Sequence, residues 1–185
     1  MDTYRLYWAE LSMVAQLGML RHMRGVYKGY ADQDGLDTRD GRGWGLHIEG
    51  AAGEYVVAKV LGITNEPGIQ HFRQGGDLAG FIDVKTRFYT GENLFLLLSA
   101  RANPDSAYVL VTGLAPAYTI HGWAWGNEIK QACYRQDLRN GRPVVYGMPV
   151  THLQPLARLR RLVLERSFQR LESEYGPAFS PTHAG

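Results

Sequence analysis

The stretch GGDLAGFIDVKTR, residues 75–87, joins the glycines of a turn to a short strand that carries two acids and a lysine. Alternate side chains of a strand share a face, so Asp83 and Lys85 point one way and Val84 points into apolar packing. Asp77 precedes a predicted tight turn that would fold it back towards this strand, and the alternative is that it is an ordinary turn former. Carboxylates held together repel each other, and one lysine relieves only part of that charge.

An upstream helix, predicted over residues 46–61, supplies a third acid. On a helical wheel Glu54 falls within the apolar, sheet-facing arc, and Lys59 falls opposite it. An ionised carboxylate is expensive to bury alone, so we expect Glu54 to have a partner. Glu49 lies near the edge of the same arc, and the sequence leaves open which of the two glutamates is the helix acid.

Three acids and a lysine that converge on one point are typical of a hard-metal site, because Mg²⁺ prefers carboxylate, carbonyl and water oxygens. Asp77 and Asp83 are the predicted direct ligands. The backbone carbonyl of Val84 is within reach, and Glu54 would bind directly or through water. Lys85 suits a place beside a metal-bound water or a phosphate. The predicted chemistry is therefore attack of metal-activated water on a phosphodiester.

These residues resemble the PD-(D/E)xK nuclease superfamily, which has the restriction-endonuclease-like fold. Gly76-Asp77 stands where the family has Pro-Asp, and residues 83–85 match its (D/E)xK element. Glu54 matches the acid that family members often carry on the first core helix. The gap between the two aspartates is short for the family.

The resemblance covers about residues 46–125 and implies an αβββαβ core, Mg²⁺ or Mn²⁺ as cofactor, and nucleic acid as substrate. We favour DNA over RNA, although the sequence does not distinguish the two. A helix after the DVK strand is not obvious, since residues 93–100 are more strand-like. Members often act as dimers, which would place two sites on two strands, although the sequence leaves the oligomeric state open. The implied catalytic residues are Glu54, Asp77, Asp83 and Lys85.

The predicted elements form an α/β domain with a central mixed β-sheet flanked by helices, including extra helices at both ends. We predict one nuclease-like domain over residues 1–175, with its core at about 46–150, and a C-terminal tail over 176–185. Periodicity cannot type the buried segment 93–100. The other predictions are helices over 5–24, 127–135 with Asn127 as N-cap, and 153–175, and strands over 69–73, 81–89, 107–114, 117–126 and 142–150.

Composition indicates a folded protein of the cytosol. The 185 residues are 45% hydrophobic, which fits one domain with a real core. Cys133 is the single cysteine, so an internal disulfide and a multi-cysteine zinc site are excluded, and we expect it to be a buried small residue. No apolar run approaches a bilayer span, and the N-terminus is unlike a signal peptide. We therefore expect a cytoplasmic protein with no membrane partner.

Arginines in three places are candidate nucleic-acid contacts, because cations that bind phosphates give salt-dependent affinity. Arg39 and Arg42 lie in a predicted loop, Arg87 ends the DVK strand, and Arg158 and Arg161 belong to the C-terminal helix. The alternative for that helix is a solvated face on which arginines pair with glutamates.

The sequence thus predicts a metal-dependent nuclease. One alternative is a nucleic-acid-binding module on the same fold without catalysis. Another is a structural or assembly protein in which the Asp83 and Lys85 pair is incidental. Fold alone does not separate these functions, and the sequence does not distinguish endonuclease from exonuclease.

Overall fold

The computed structural model describes residues 2–28, 42–63, 76–88, 91, 93–137 and 144–176. It confirms an α/β protein whose mixed sheet is flanked by helices. The elements in chain order are β1 (Asp2–Arg5), α1 (Trp8–Tyr27), α2 (Arg42–Leu61), β2 (Ile82–Arg87), β3 (Phe95–Ser99), β4 (Ala107–Leu114), β5 (Ala117–Trp125), α3 (Gly126–Ile129), β6 (Arg135–Gln136), β7 (Val145–Pro149) and α4 (Leu156–Tyr175).

The main sheet has the strand order β1-β5-β4-β2. β2 pairs in parallel with β4, whereas β5 pairs antiparallel with both β4 and β1. A second, antiparallel sheet has the order β3-β7-β6. The strand that carries Asp83 and Lys85 is therefore the last strand of the main sheet.

The main sheet is the middle layer of the fold, with helices on one face and the second sheet on the other. A hydrophobic cluster fills each of the two interfaces. On one face, Val57 of α2 packs in the same cluster as Ile82 of β2 and Val109 of β4. On the other face, Leu110 of β4 shares a cluster with Leu96 of β3. Burial of apolar surface on both faces stabilises this helix–sheet–sheet arrangement.

The connection between the parallel strands β2 and β4 contains a strand, β3. Along β3 buried residues alternate with half-buried ones, and Leu96 and Leu98 are the two that face the core. This period of two is that of a half-buried strand, and pairing with β7 satisfies its backbone. The segment that periodicity could not type is thus β-structure. The finer αβββαβ order of the restriction-endonuclease-like core is not confirmed.

Several element boundaries differ from the predictions. The helix predicted from residue 5 begins at Trp8, because Asp2–Arg5 instead pairs with the edge of β5. α2 begins at Arg42, four residues before its predicted start at residue 46. The short helix begins at Gly126, so Asn127 lies inside it and is not its N-cap. The predicted strand over 69–73 lies outside the described residues.

The prediction that Cys133 is a buried small residue is wrong. Cys133 is exposed, because it lies in a short 3₁₀ turn over Ala132–Tyr134 that has no buried residue. Within the part of the chain that the structure describes, none of the helices is both apolar enough and long enough to cross a bilayer.

Candidate active site

A tight turn places Asp77 beside β2. Leu78 and Ile82 exchange two backbone hydrogen bonds of 2.9 and 3.0 Å, and Ala79 and Gly80 between them have positive φ angles of 48° and 74°. Glycine adopts this left-handed conformation without strain, which suits it to the turn. The predicted fold-back is therefore confirmed.

The turn leaves no room for a side chain at position 76. A Cβ atom on Gly76 would lie 2.5 Å from the backbone nitrogen of Ile82 and 2.7 Å from its carbonyl oxygen. Any residue other than glycine would have to displace backbone at the edge of β2. This close approach is a physical reason for the Gly-Asp pair in place of the Pro-Asp of the family that the motif resembles.

The Asp77 carboxylate is tied to the strand. The backbone N–H of Val84 donates to Asp77 Oδ2 at 2.8 Å. An ordinary turn-forming aspartate bonds within its own turn, so this contact favours a role at the strand. Ile82 directs both its N–H and its C=O to Leu78, at the outer edge of β2. Residues two apart in a strand direct their backbone groups to the same edge, so the N–H and the carbonyl of Val84 also face the side of the turn.

Asp83 and Lys85 share one face of β2, while Ile82 and Val84 are buried on the other, as the alternation predicts. Burial raises the pKa of the Asp83 carboxyl, and the charge of Asp77 raises it further, whereas Lys85 lowers it. The ammonium of Lys85 lies 5.8 Å from the ring centre of Tyr108. The Lys85 side chain is half-buried, and its charge acts on the neighbouring Asp83.

Glu54 is buried on the sheet-facing side of α2, with 9% of its surface exposed, as the helical wheel predicts. Next to it, Gly53 packs so closely that a Cβ atom would collide with the Thr86 side chain of β2. The pKa of the Glu54 carboxyl is raised to about 7, and burial is the largest cause. The charges of Asp77 and, to a smaller extent, Asp83 add to this rise, against the opposing effect of Arg21.

Asp77 is the common neighbour of the other two acids. After burial, its charge is the largest contribution that raises the pKa of both Glu54 and Asp83. The three carboxylates come from α2, from the turn and from β2, yet they form one electrostatic cluster. Lys85 is a cation of this cluster, and a second cation is Arg21.

Arg21 of α1 is the partner that a buried Glu54 requires, and the sequence analysis did not assign it to the site. Its Nη1 donates to Glu54 Oε1 at 2.7 Å, and its Nη2 lies 2.7 Å from Oε2. Such a bidentate, charge-assisted pair is strong and geometrically specific. The signal was present in the sequence, because Val14, Leu17 and Arg21 follow helical spacing on the buried side of α1.

Ser106 and Tyr108 are two further neighbours that the sequence analysis missed. The side chain of the buried Ser106 lies near both Asp83 and Tyr108 and lowers the pKa of each. Tyr108 lies opposite Asp83 in the parallel ladder. Burial, followed by the charge of Asp83, raises the pKa of the Tyr108 hydroxyl to about 12, so it stays protonated. The register of β2 on β4 brings these groups together.

Glu49, the rival helix acid, is engaged elsewhere. Its Oε2 accepts a hydrogen bond of 2.6 Å from the hydroxyl of Tyr118 on β5. The charges of Asp77 and Asp83 act instead on Glu54. We therefore take Glu54 as the helix acid of the candidate site.

The donors of this site suit a hard divalent cation, since they are carboxylates and a strand carbonyl. As the side chains stand, no group of three or more His, Cys, Asp or Glu among the described residues is placed to hold a metal ion. Both oxygens of Glu54 face Arg21. Glu54 would have to turn away from Arg21, or act through water, to take part in binding a cation.

The candidate nucleic-acid contacts are spread over the molecule. Arg87 shares the β2 face of Asp83 and Lys85, and burial lowers its pKa. Arg39 lies outside the described residues. Arg42 is the first residue of α2 and not part of a loop, and its side chain is outside the described part.

The arginines of α4 named in the sequence analysis lie on an exposed face of the helix. Arg158 and Arg161 are exposed and available to a partner, although Arg158 also lies 3.4 Å from Gln154 Oε1. Arg170 pairs with Glu174 at 2.8 Å, one helical turn away, as on a solvated face.

Comparisons of the chain with protein-family models, with curated proteins and with solved structures find no match. Its function is therefore argued from the chemistry of the site.

Proposed function

We propose that this protein is a divalent-metal-dependent nuclease that acts on DNA, as a divergent member of the PD-(D/E)xK superfamily. The observation that carries the proposal is the position of Asp77, which accepts a hydrogen bond of 2.8 Å from the backbone of Val84, next to Asp83. From there its charge acts on both Glu54 and Asp83. With Lys85 beside Asp83, the cluster contains each residue type that metal-assisted phosphodiester hydrolysis needs.

Ionisation of the carboxyl groups of this cluster is unfavourable. Burial and mutual repulsion raise the pKa of both Glu54 and Asp83, although Arg21 and Lys85 oppose the rise. A purely structural protein gains nothing from this repulsion, whereas a divalent ion would relieve it and supply a bound water that loses a proton more readily than bulk water. Asp77 and Asp83 would hold the ion, with the Val84 carbonyl at the same edge. Lys85 would donate hydrogen bonds to the phosphate oxygens.

A cleavage assay with a matched control tests this function. Purified protein is incubated with linear, nicked, branched and single-stranded DNA and with RNA, in Mg²⁺, Mn²⁺ or EDTA. We expect cleavage of DNA that needs Mg²⁺ or Mn²⁺ and that falls at least about 100-fold in Asp83→Asn, as for loss of a group on which the reacting charge depends. The control is Asp137→Asn, because Asp137 is exposed and pairs only at the surface with Arg135. Undiminished cutting by Asp83→Asn would refute the assigned site.

The second candidate is a catalytically silent nucleic-acid-binding module. The Arg21 and Glu54 pair favours it, because a permanently closed pair would keep one carboxylate from any cation. This function predicts salt-sensitive binding that survives Asp83→Asn and Lys85→Met, with no turnover at any metal concentration.

A further inference from the structure

We propose that one end of the main sheet, on the side that faces the second sheet, binds the phosphate backbone of DNA next to the acid cluster. The residues of this strand-end surface are Arg87, Thr119, Thr3 and Arg5. The inference rests on the proposed nuclease function for the identity of its ligand, and it adds the surface that positions the substrate.

Strand direction and register create this surface. β1 and β4 are each antiparallel to β5, and β2 is parallel to β4, so β1, β4 and β2 run the same way and finish at one end of the sheet. The register aligns one residue of each strand across that end: Arg87, Thr112, Thr119 and Thr3. Three strand spacings of about 4.8 Å make the surface about 14 Å wide, which matches about four nucleotides of one DNA strand.

The side chains from β1 and β5 share the face that looks towards the second sheet. Tyr4 and Tyr118 pack in the cluster on the helix side. By alternation their neighbours Thr3, Arg5 and Thr119 point to the opposite side. The hydroxyls of Thr3 and Thr119 are hydrogen-bonded at 3.0 Å, which agrees with this placement.

The second sheet covers the apolar part of this face and leaves its end polar. Tyr108 and Leu110 of β4 belong to the cluster under the second sheet. Two residues further along β4, Thr112 Oγ1 lies 2.7 Å from His121 Nε2, so the apolar side chains give way to hydrogen-bonding ones. At β1 the surface reaches solvent, because Arg5 is exposed.

The two arginines of the surface lack counter-ions. Arg87 is half-buried, burial lowers its pKa, and no carboxylate among the described residues opposes that shift. Within the same part of the chain, neither Arg87 nor Arg5 forms an ion pair. A phosphodiester supplies the missing negative charge, and the planar guanidinium fork fits its oxygens in bidentate geometry.

The threonine pair adds a donor for the same ligand. When two hydroxyls bond to each other, one O–H donates and the other remains able to donate to a third group. The pair of Thr3 and Thr119 is exposed, so this proton can reach a phosphate oxygen. Arginine and threonine side chains together are typical of phosphate contacts in protein–DNA interfaces.

The outermost strand connects the strand-end surface with the acid cluster. β2 is the last strand of the main sheet, and Lys85 and Arg87 lie two residues apart on one of its faces. This separation is about 7 Å along the strand. A DNA strand bound at Arg87 can therefore continue along the outer edge to Lys85 and the acids.

Binding of DNA in EDTA tests the inference separately from cleavage. A fluorescent duplex of about 20 base pairs is titrated with protein and followed by anisotropy between about 50 and 200 mM KCl. We expect Arg5→Gln and Arg87→Gln each to weaken binding at least about threefold, and the double variant at least about tenfold. The slope of log affinity against log salt should fall by about two in the double variant, since each phosphate contact contributes about one.

The matched control is Arg170→Gln, which removes the same charge from α4 on the helix side of the sheet, where Arg170 pairs with Glu174. It should change affinity less than about twofold. A double variant that binds like the unaltered protein, or an equal loss in Arg170→Gln, would overturn the inference. Absence of binding by the unaltered protein at low salt would overturn it too.

Thermal melts establish that each variant is folded, and the exposed position of Arg5 keeps Arg5→Gln as a test if Arg87→Gln is unstable. Loss of binding in the double variant, with no cleavage by the unaltered protein in any metal, would remove the nuclease function alone. Metal-dependent cleavage with an unchanged KM in the double variant would remove this inference alone.

Discussion

Glu10 and Glu54 show that surroundings, and not residue type, decide what a carboxyl group can do here. Glu10 of α1 hydrogen-bonds with Lys59 at the surface, and this bond lowers the pKa of Glu10. Glu54 has an arginine partner at a similar distance, yet burial and the charge of Asp77 raise its pKa to about 7. The difference lies in desolvation and in neighbouring acids, which are the conditions found at functional sites.

The raised pKa of Glu54 predicts an unusual dependence of stability on pH. Its folded-state pKa of about 7 exceeds the ordinary value of 4.5, so the folded protein binds more protons than the unfolded chain between these values. The stabilisation is fully present below pH 4.5 and is lost as pH rises through 7. We expect the free energy of unfolding in EDTA to fall by about 2.5 kcal/mol between pH 5 and pH 8.

Urea denaturation at pH 5, 6, 7 and 8 measures this dependence. Glu54→Gln should remove most of the slope, leaving the smaller contribution of Asp83, whose pKa is also raised. Glu10→Gln should keep the slope, because the pKa of Glu10 is lowered and its effect has the opposite sign. Equal slopes in the unaltered protein and in Glu54→Gln would show that Glu54 does not titrate in this range.

At the scale of elements, contact between α2 and β2 holds Glu54 near the acids of the turn and strand. Gly53 is the point of contact, since a Cβ there would collide with the Thr86 hydroxyl and approach the Thr86 Cβ to 3.1 Å. Rotation of Thr86 about its Cα–Cβ bond would leave the 3.1 Å approach to its Cβ unchanged. The absence of a side chain at Gly53 therefore sets the distance between helix and strand.

Two glycines of α2 provide a matched test of this contact. Gly53→Ala should lower the free energy of unfolding by about 1–3 kcal/mol, as overpacking does, and should move Glu54 away from Asp77. Gly50→Ala meets nothing within 4 Å, so it should raise stability by up to about 1 kcal/mol through helix propensity. Chemical denaturation of the two variants measures the difference. Stabilisation by both substitutions would mean that α2 does not press on β2.

Other elements show where local patterns succeed. β4 and β5 were predicted almost to the residue because β-branched and aromatic residues dominate them. The beginning of α1 was mispredicted because β1 forms only by pairing with β5, more than 110 residues away. A four-residue segment is too short for its own sequence pattern to predict such a distant strand pairing.

At the scale of the whole molecule, the site lies where three parts of the chain meet at one edge of the main sheet. α1 supplies Arg21, α2 supplies Glu54, and the turn with β2 supplies the remaining groups. A cation bound there would link these parts in the folded state only, and ligands that bind only the folded state stabilise it by mass action.

Metal binding should therefore raise the melting temperature. At about 100 times the dissociation constant, the gain is about 2.7 kcal/mol, which for a chain of this size corresponds to roughly 5–10 °C. Differential scanning fluorimetry with Mg²⁺, Mn²⁺ or EDTA measures it. Asp83→Asn should abolish the shift, and Asp137→Asn should retain it. A melting temperature that neither metal nor nucleic acid changes would support a structural role in place of the nuclease.

The sequence by itself determined the parts of the site that depend on local periodicity. The alternation along β2 placed Asp83 and Lys85 on one face, the helical wheel put Glu54 on the buried side of α2, and glycines marked the turn at Asp77. These are short-range properties, because a side chain's face follows from its spacing within a single element.

Only the tertiary structure decided how those parts meet. The packing of α1 on α2 made Arg21 the partner of Glu54, and the parallel register of β2 on β4 brought Ser106 and Tyr108 to Asp83. It also decided that a strand connects β2 to β4. The physical reason is that helix crossing and strand register depend on contacts between residues far apart in the chain, which the spacing within one element does not specify.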